Sequence, residues 1–351
     1  MMAALQGLDA AIHCEIFTQV PQWFFQDSLP GSFGYHPLLT DIGLVQHTAL
    51  LADLPATLQR LDDFLPFAPA IIADLARQLQ RLACTLVLCD IAPMGIAVAK
   101  EAGIPSILIE NFTWDWIYQA YTAHDKRLMP HIAYLQDVFA MADYHVQTEP
   151  VCVHRAVDLT TQPVSRQSTA PAAEVRNRLA IPHEAPAVLI TMGGILTQHT
   201  FLPQLATHPN IFFVIPGGAS SIQTHGNVVL LPHRTGFFHP DLVHACDAVV
   251  GKVGYSTVAE VYHAGIPFGY IARQDFRESP VLAAYIAQHM PSLAIADTPF
   301  YRGDWLAHLA ELLALPQRHH RGPNGATQVA RFVYRLLYGV EARHADKPPA
   351  F

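Results

Sequence analysis

At 351 residues the chain exceeds the size at which one hydrophobic core stops growing, which favours two domains. It is 51% hydrophobic and only 14% charged, a balance that excludes a disordered or solvating chain. The formal net charge is -8 with no basic run, which excludes nucleic acid as a partner, because that binding depends on clustered Lys and Arg.

The longest apolar stretches are of strand length, well below the ~20 residues that span a bilayer. No transmembrane segment is expected, and a peripheral membrane contact stays open. The opening MMAALQGLDAAIHC lacks a basic region followed by an apolar core, so no secretory signal is expected. Five cysteines (Cys14, Cys84, Cys89, Cys152, Cys246) form no CxxC pair and sit mostly in apolar runs, as buried free thiols do. Reducing cytoplasm is the expected compartment. Twenty histidines occur without HExxH or paired CxxC spacing, so no metal site is expected.

Along the chain, apolar runs alternate with helical periodicity, the pattern of parallel α/β sheets. In the first half AIHCEIFTQ, TLVLCD, PSILIENF and YHVQTE read as strands, while ATLQRLDDFL and ADLARQLQRL carry leucines at helical spacing. MGIAVAKEAGIP fits a helix that ends at Gly103, with Pro105 blocking its continuation. DLTTQPVSRQSTAPAA (158–173) is the least apolar stretch and the linker candidate. A second series follows: AVLITMGG, NIFFVIPGG, NVVLLP, DAVVG, PFGYIA and SLAIAD. RFVYRLLYGV reads as a last helix that could cross back to the first domain. The expected division is 1–157, a linker over 158–180, a second domain over 181–338, and a tail over 339–351.

After DAVVG the chain reads KVGYSTVAEVYHAG. A nucleotide-hydrolase loop needs G-x-x-x-x-G-K-[ST], but Cys246 replaces its first glycine and Val253 follows Lys252. The G-x-G-x-x-G dinucleotide fingerprint is also absent. What remains is a strand, a turn and a helix. Gly254 permits close backbone approach, and Tyr255, Ser256 and Thr257 fall at a helix start, where ~0.5 of a positive charge favours phosphate. Glu260, one turn on, is near enough to accept hydrogen bonds from an attached ribose. Thr257 to Glu260 is also a T-x-x-E capping box, which needs no ligand, and spacing alone does not separate the two readings. Lys252 reads as solvated. Gly193–Gly194 and Gly217–Gly218 end two further strands, and three such ends in one domain favour an anion cleft at the carboxyl edge of a sheet.

The segment from AVLITMGG through CDAVVGKVGYSTVAEVYHAGIP resembles the C-terminal domain of GT-B glycosyltransferases. The branch is that of the bacterial N-acetylglucosaminyltransferase that makes lipid II, with plant UDP-glycosyltransferases as more distant relatives. The resemblance implies an α/β fold of two Rossmann-like domains facing a cleft, with a nucleotide-diphosphate sugar as donor substrate and no further cofactor. It implies that Gly193, Gly194, Gly254, Tyr255, Ser256 and Thr257 hold the diphosphate and that Glu260 holds the ribose. Arg273, Asp275 and Glu278, in RQDFRES, stand where relatives contact the donor sugar; a surface salt-bridge cluster is the alternative. DIGLVQ (41–46), CDIAPMGIAVAKEAGIPS (89–106) and NFTWDWIY (111–118) resemble the glycosyltransferase-like N-terminal domain of plant L-arabinokinase. Its kinase domain has no counterpart here, so sugar kinase activity is not implied. Relatives open with a strand and a glycine- and histidine-rich loop; this chain starts at what reads as the second strand, so its first domain is expected to lack that strand-helix unit.

The expected function is therefore glycosyl transfer from a nucleotide sugar to an acceptor the sequence does not name, metal-independent and inverting. Asp90, Glu110 and Asp115 are the candidates for the base that takes the acceptor proton. Trp114, Trp116 and Tyr118 either pack or stack on a sugar. A sugar-nucleotide sensor or scaffold without transferase activity is the first alternative, and a sugar-nucleotide epimerase the second.

Overall fold

The apolar runs become strands close to where their composition puts them. The structure, a computed structural model, describes residues 2–6, 12–29, 31–46, 51–192, 200–234 and 236–339. It divides into two units: one of 1–45, 53–166 and 323–351, the other of 46–52 and 167–322.

In the first unit, β1 (Glu15–Thr18) pairs in parallel with β2 (Gly34–Pro37). Helices α1 (Leu54–Phe64) and α2 (Pro69–Arg81) follow, both with proline in the first turn, where no intrahelical donor is lost. The main sheet takes β3 (Val87–Asp90), β4 (Ser106–Glu110), β5 (Tyr144–Thr148) and β6 (Leu159–Thr161) in sequence order, all parallel. Between β3 and β4 runs α3 (Pro93–Ala102), closed by Gly103 at φ 69°, the left-handed cap that AGIP announced. Helices α4 (Trp114–Gln119) and α5 (Leu128–Phe139) precede β5. The stretch read as linker is not all loop: its start supplies β6, whose pairing uses backbone groups and needs no apolar run.

The second unit begins with α6 (Ala172–Arg178). Among the described residues its main sheet has seven strands: β7 (Ala187–Thr191), β8 (Phe212–Pro216), β9 (Gln223–His225), β10 (Val228–Leu231), β11 (Ala248–Lys252), β12 (Phe268–Ile271) and β13 (Ser292–Ala294). They lie in the order β9-β10-β8-β7-β11-β12-β13, antiparallel only between β9 and β10. Without the polar edge strand β9, this is the 3-2-1-4-5-6 order of dinucleotide-binding sheets, which reverses direction between β7 and β11. Alternate residues feed two cores: Leu189, Val249 and Phe268 on one face, Val188, Ile190 and Val250 on the other. Burial on both faces explains why these strands read as continuous apolar runs. Helices α7 (His239–Ala245), α8 (Tyr255–Ala264) and α9 (Ser279–His289) connect the later strands. Arg176 on α6 anchors the N-terminal side: it meets Asp247 at 2.7 Å and the Ala245 carbonyl at 2.8 Å.

Helix α10 (Gly325–Tyr338), the RFVYRLLYGV helix, groups with the first unit. Asn324 caps it through Ala326 N–H and also reaches the Ser165 carbonyl, each at 2.9 Å. Among the described residues, no helix is long and apolar enough to cross a membrane.

At the β7–β11 junction Gly251 is paired with Thr191, and a Cβ on Gly251 would overlap the Thr191 carbonyl oxygen. Backbone on both sides leaves nothing flexible to yield. Gly251→Ala is expected to lower stability by about 1–3 kcal/mol, the usual cost of overpacking, as read by urea denaturation.

Candidate functional site

Sheets of this order bind ligands at the carboxyl ends of their strands where the order reverses, which here is between β7 and β11. Thr191 ends β7 and Lys252 ends β11; Val253 is buried, and Gly254 turns the chain into α8. Gly254 is the N-cap in extended conformation, with no side-chain cap bond. The helix cap lies three residues earlier than the T-x-x-E spacing suggested. Thr257 is therefore its third residue and no cap, and Glu260 lies in its interior, which removes the capping-box reading. Tyr255, Ser256 and Thr257 form the first turn, whose N–H groups have no intrahelical acceptor.

Glu260 is buried, with a side chain only 3% exposed, and it has a partner the sequence did not suggest. Nδ1 of His239, the first residue of α7, donates to its Oε2 at 2.6 Å. The other ring nitrogen, Nε2, lies 3.5 Å from the Thr191 hydroxyl. The three residues thus link the end of β7 to the first turn of α7 and the body of α8. His239 escaped the sequence reading because one histidine in a polar loop carries no spacing signal.

Lys252 is not solvated but half-buried. Burial above all, and then the Arg273 guanidinium, pull its pKa down to about 8, while Glu278 acts in the opposite direction. Arg273 follows β12 and lies over the Phe276 ring at 3.6 Å, and its backbone N–H donates to Ser279 Oγ at 3.2 Å. Glu278, just before α9, is 3% exposed, so a surface salt-bridge cluster does not describe it; Asp275 alone of the three is exposed. Two cations and one buried carboxylate therefore gather at the ends of β11 and β12. Gly193 and Gly194 lie outside the described residues.

The first unit holds the other three candidates. Asp90 ends β3 and is exposed. Glu110 ends β4 buried, accepting from His145 Nε2 at 2.8 Å and Gln147 Nε2 at 2.9 Å, an arrangement that suits a structural carboxylate. Asp115 is buried in the first turn of α4, where the helix dipole favours a carboxylate. Asp41, missed in the sequence, accepts from Trp114 Nε1 at 3.0 Å. Burial raises its pKa, the Trp114 bond opposes that, and the charge of Asp90 adds to the rise. Trp114 also stacks on buried Tyr118, so these two aromatics are packing residues. Among the described residues, no group of three or more His, Cys, Asp or Glu is placed to hold a metal ion.

No protein-family model matches the chain. The L-arabinokinase of Arabidopsis thaliana is 24% identical over 348 residues, which are 97% of this chain and 33% of that protein. The chain thus spans about a third of the length of the curated relative it matches. Among solved structures, the glycosyltransferase VinC in complex with DTDP superposes with a TM-score of 0.57 at 16% identity, covering 96% of this chain and 95% of that one. The UDP-GlcNAc 2-epimerase of Neisseria meningitidis, bound to UDP-GlcNAc, gives a TM-score of 0.51 at 14% identity, covering 91% and 87%. The likeness is one of fold: the chain is α/β with parallel sheets, of the GT-B type.

The electrostatic arrangement around Lys252 is directly measurable. Glu278→Gln is expected to lower the Lys252 pKa further and Arg273→Met to raise it, as followed by NMR titration of isotopically labelled lysine. Equal and unshifted titration in all three proteins would contradict the arrangement.

Proposed function

We propose that the chain binds a nucleoside-diphosphate sugar at the β7–β11 reversal and transfers the sugar to an acceptor hydroxyl. The observation that carries this reading is the coincidence of the reversal with the start of α8, so that Gly254, Tyr255, Ser256 and Thr257 stand where a diphosphate would bind.

In this reading the amides and hydroxyls of the first turn of α8 hold the diphosphate. They need no reorganisation as negative charge grows on it during bond breaking, and preorganised donors of this kind lower a barrier most where water is excluded. Lys252 and Arg273 add positive charge beside that turn, an arrangement that neutralises a leaving diphosphate without a metal ion. Glu278, whose charge acts on Lys252, suits a sugar hydroxyl; Arg273 and Asp275 complete the set proposed for the donor sugar. For the acceptor proton we retain Asp90, since it is exposed whereas Glu110 and Asp115 are buried. Attack on the face opposite the leaving diphosphate would invert the anomeric centre.

The test is binding followed by product analysis. UDP and dTDP are expected to raise the melting temperature, because a ligand of the native state stabilises it by RT ln(1 + [L]/Kd). Lys252→Met is expected to weaken the better of the two by about 1.5–3 kcal/mol in calorimetry, the range for a bond to a charged group. Mass spectrometry of reactions with a nucleotide sugar then separates transfer, which releases the nucleoside diphosphate, from epimerisation, which leaves the nucleotide sugar intact with one centre inverted. A folded protein that binds neither nucleotide contradicts the reading.

A further inference from the structure

We propose that residues 318–320 form a clasp over the carboxyl ends of α8 and α9, and that protonation of His320 opens it. The clasp lies at the ends of these helices opposite the candidate site and does not depend on the nucleotide-sugar reading. Three contacts build it. Arg318 N–H donates at 2.7 Å to the carbonyl of Gly265, the left-handed cap of α8. Nη1 of the same residue donates at 3.2 Å to the Gln288 carbonyl in the last turn of α9. His320 then lies flat on Tyr262 of α8, with ring centroids 3.6 Å apart and planes within 14°. The approach is close: a Cβ on Gly265 would meet the Arg318 carbonyl oxygen and His319 Nδ1, each at 2.8 Å.

His320 is half-exposed as a residue, yet its Nε2 is buried and has no hydrogen-bond partner. Both ring nitrogens of a histidine cation carry protons, so a charged ring would place an N–H there without an acceptor. The charged groups that act on the ring are Arg318, His263 in the last turn of α8, and His289 at the end of α9. Arg318 repels a cation at any pH, and the two histidines do so once they are protonated. Tyr262 and Tyr285 complete the surroundings, Tyr285 lying against both Tyr262 and His289. The Tyr262 face and the negative helix ends favour a cation, but at α9 Arg318 already takes that place. Burial above all, and then Arg318, His263 and His289, hold the His320 pKa below the ordinary histidine range, while a bond with the His289 backbone opposes them. The ring thus binds a proton less well in the folded chain than in the unfolded one. Its contribution to stability is full above the ordinary histidine range and is lost as pH falls from that range towards the lower folded value.

Amide hydrogen exchange of the wild type and His320→Phe tests the clasp. Phenylalanine keeps the stack on Tyr262 and takes no proton. The amide to follow is that of Arg318, which is bonded to Gly265. Residue 320 is not its chain neighbour, so intrinsic exchange rates cancel when the two proteins are compared at one pH. The ratio of the wild-type rate to the variant rate is expected to rise about threefold or more between about pH 8 and about pH 5.5. A ratio that stays constant or falls overturns the proposal. If His320→Phe fails to fold, an NMR titration of the wild type decides. The His320 ring is expected to titrate below a histidine in a free peptide, with the Arg318 amide shift following the same curve. Titration of His320 in the free-peptide range, or an Arg318 amide that does not follow it, overturns the proposal.

Discussion

The second unit depends on one close approach. Thr191 and Gly251 are partners in the parallel ladder between the first and fourth strands of the dinucleotide-binding order, with no room for a side chain on Gly251. That contact brings two strand ends from distant parts of the sequence together at the reversal of the sheet. Thr191 is thereby set beside the turn into α8, and His239 and Glu260 can meet above it. A bulkier residue at 251 would part the strands where the crevice opens, so the site inherits its geometry from a packing constraint.

The site is organised by burial as much as by charge. A buried carboxylate is costly without a hydrogen-bond partner, and Glu260, in the interior of α8, has one in His239 at 2.6 Å. Lys252 is subject to the same penalty, and its neighbours decide how much of its charge survives near neutral pH: Arg273 repels it and Glu278 attracts it. Perturbed groups of this kind gather where ligands bind. The same logic runs through the first unit, where Asp41, half-buried near Asp90 and bonded to Trp114, is held above the usual carboxylate range.

Much of the fold was legible because the strands of a doubly covered parallel sheet are apolar without interruption. DAVVG, AVLIT and FFVIP announce themselves by composition, and the helix ends at Gly103 and Gly265 by the left-handed caps that AGIP and HAGIP encode. The elements that escaped are those without an apolar run: β2, whose sequence is GYHP, the polar edge strand β9, and β6 within a Thr-, Gln- and Pro-rich stretch. In the site, spacing located the α8 turn but placed its cap three residues late, because T-x-x-E imitates a helix start from inside the helix. Partners across the fold were beyond it altogether. Nothing in the sequence joins His239 to Glu260, Trp114 to Asp41 or Arg176 to Asp247; each pair is made by the order in which the strands and helices pack.

The central claim, that a nucleoside diphosphate sits over the first turn of α8, is tested most directly by following backbone amides of the deuterated, 15N-labelled protein during titration with UDP. The account predicts that the amides of Gly254, Tyr255, Ser256 and Thr257 shift first and furthest. Saturable binding that leaves these four amides unmoved would contradict it.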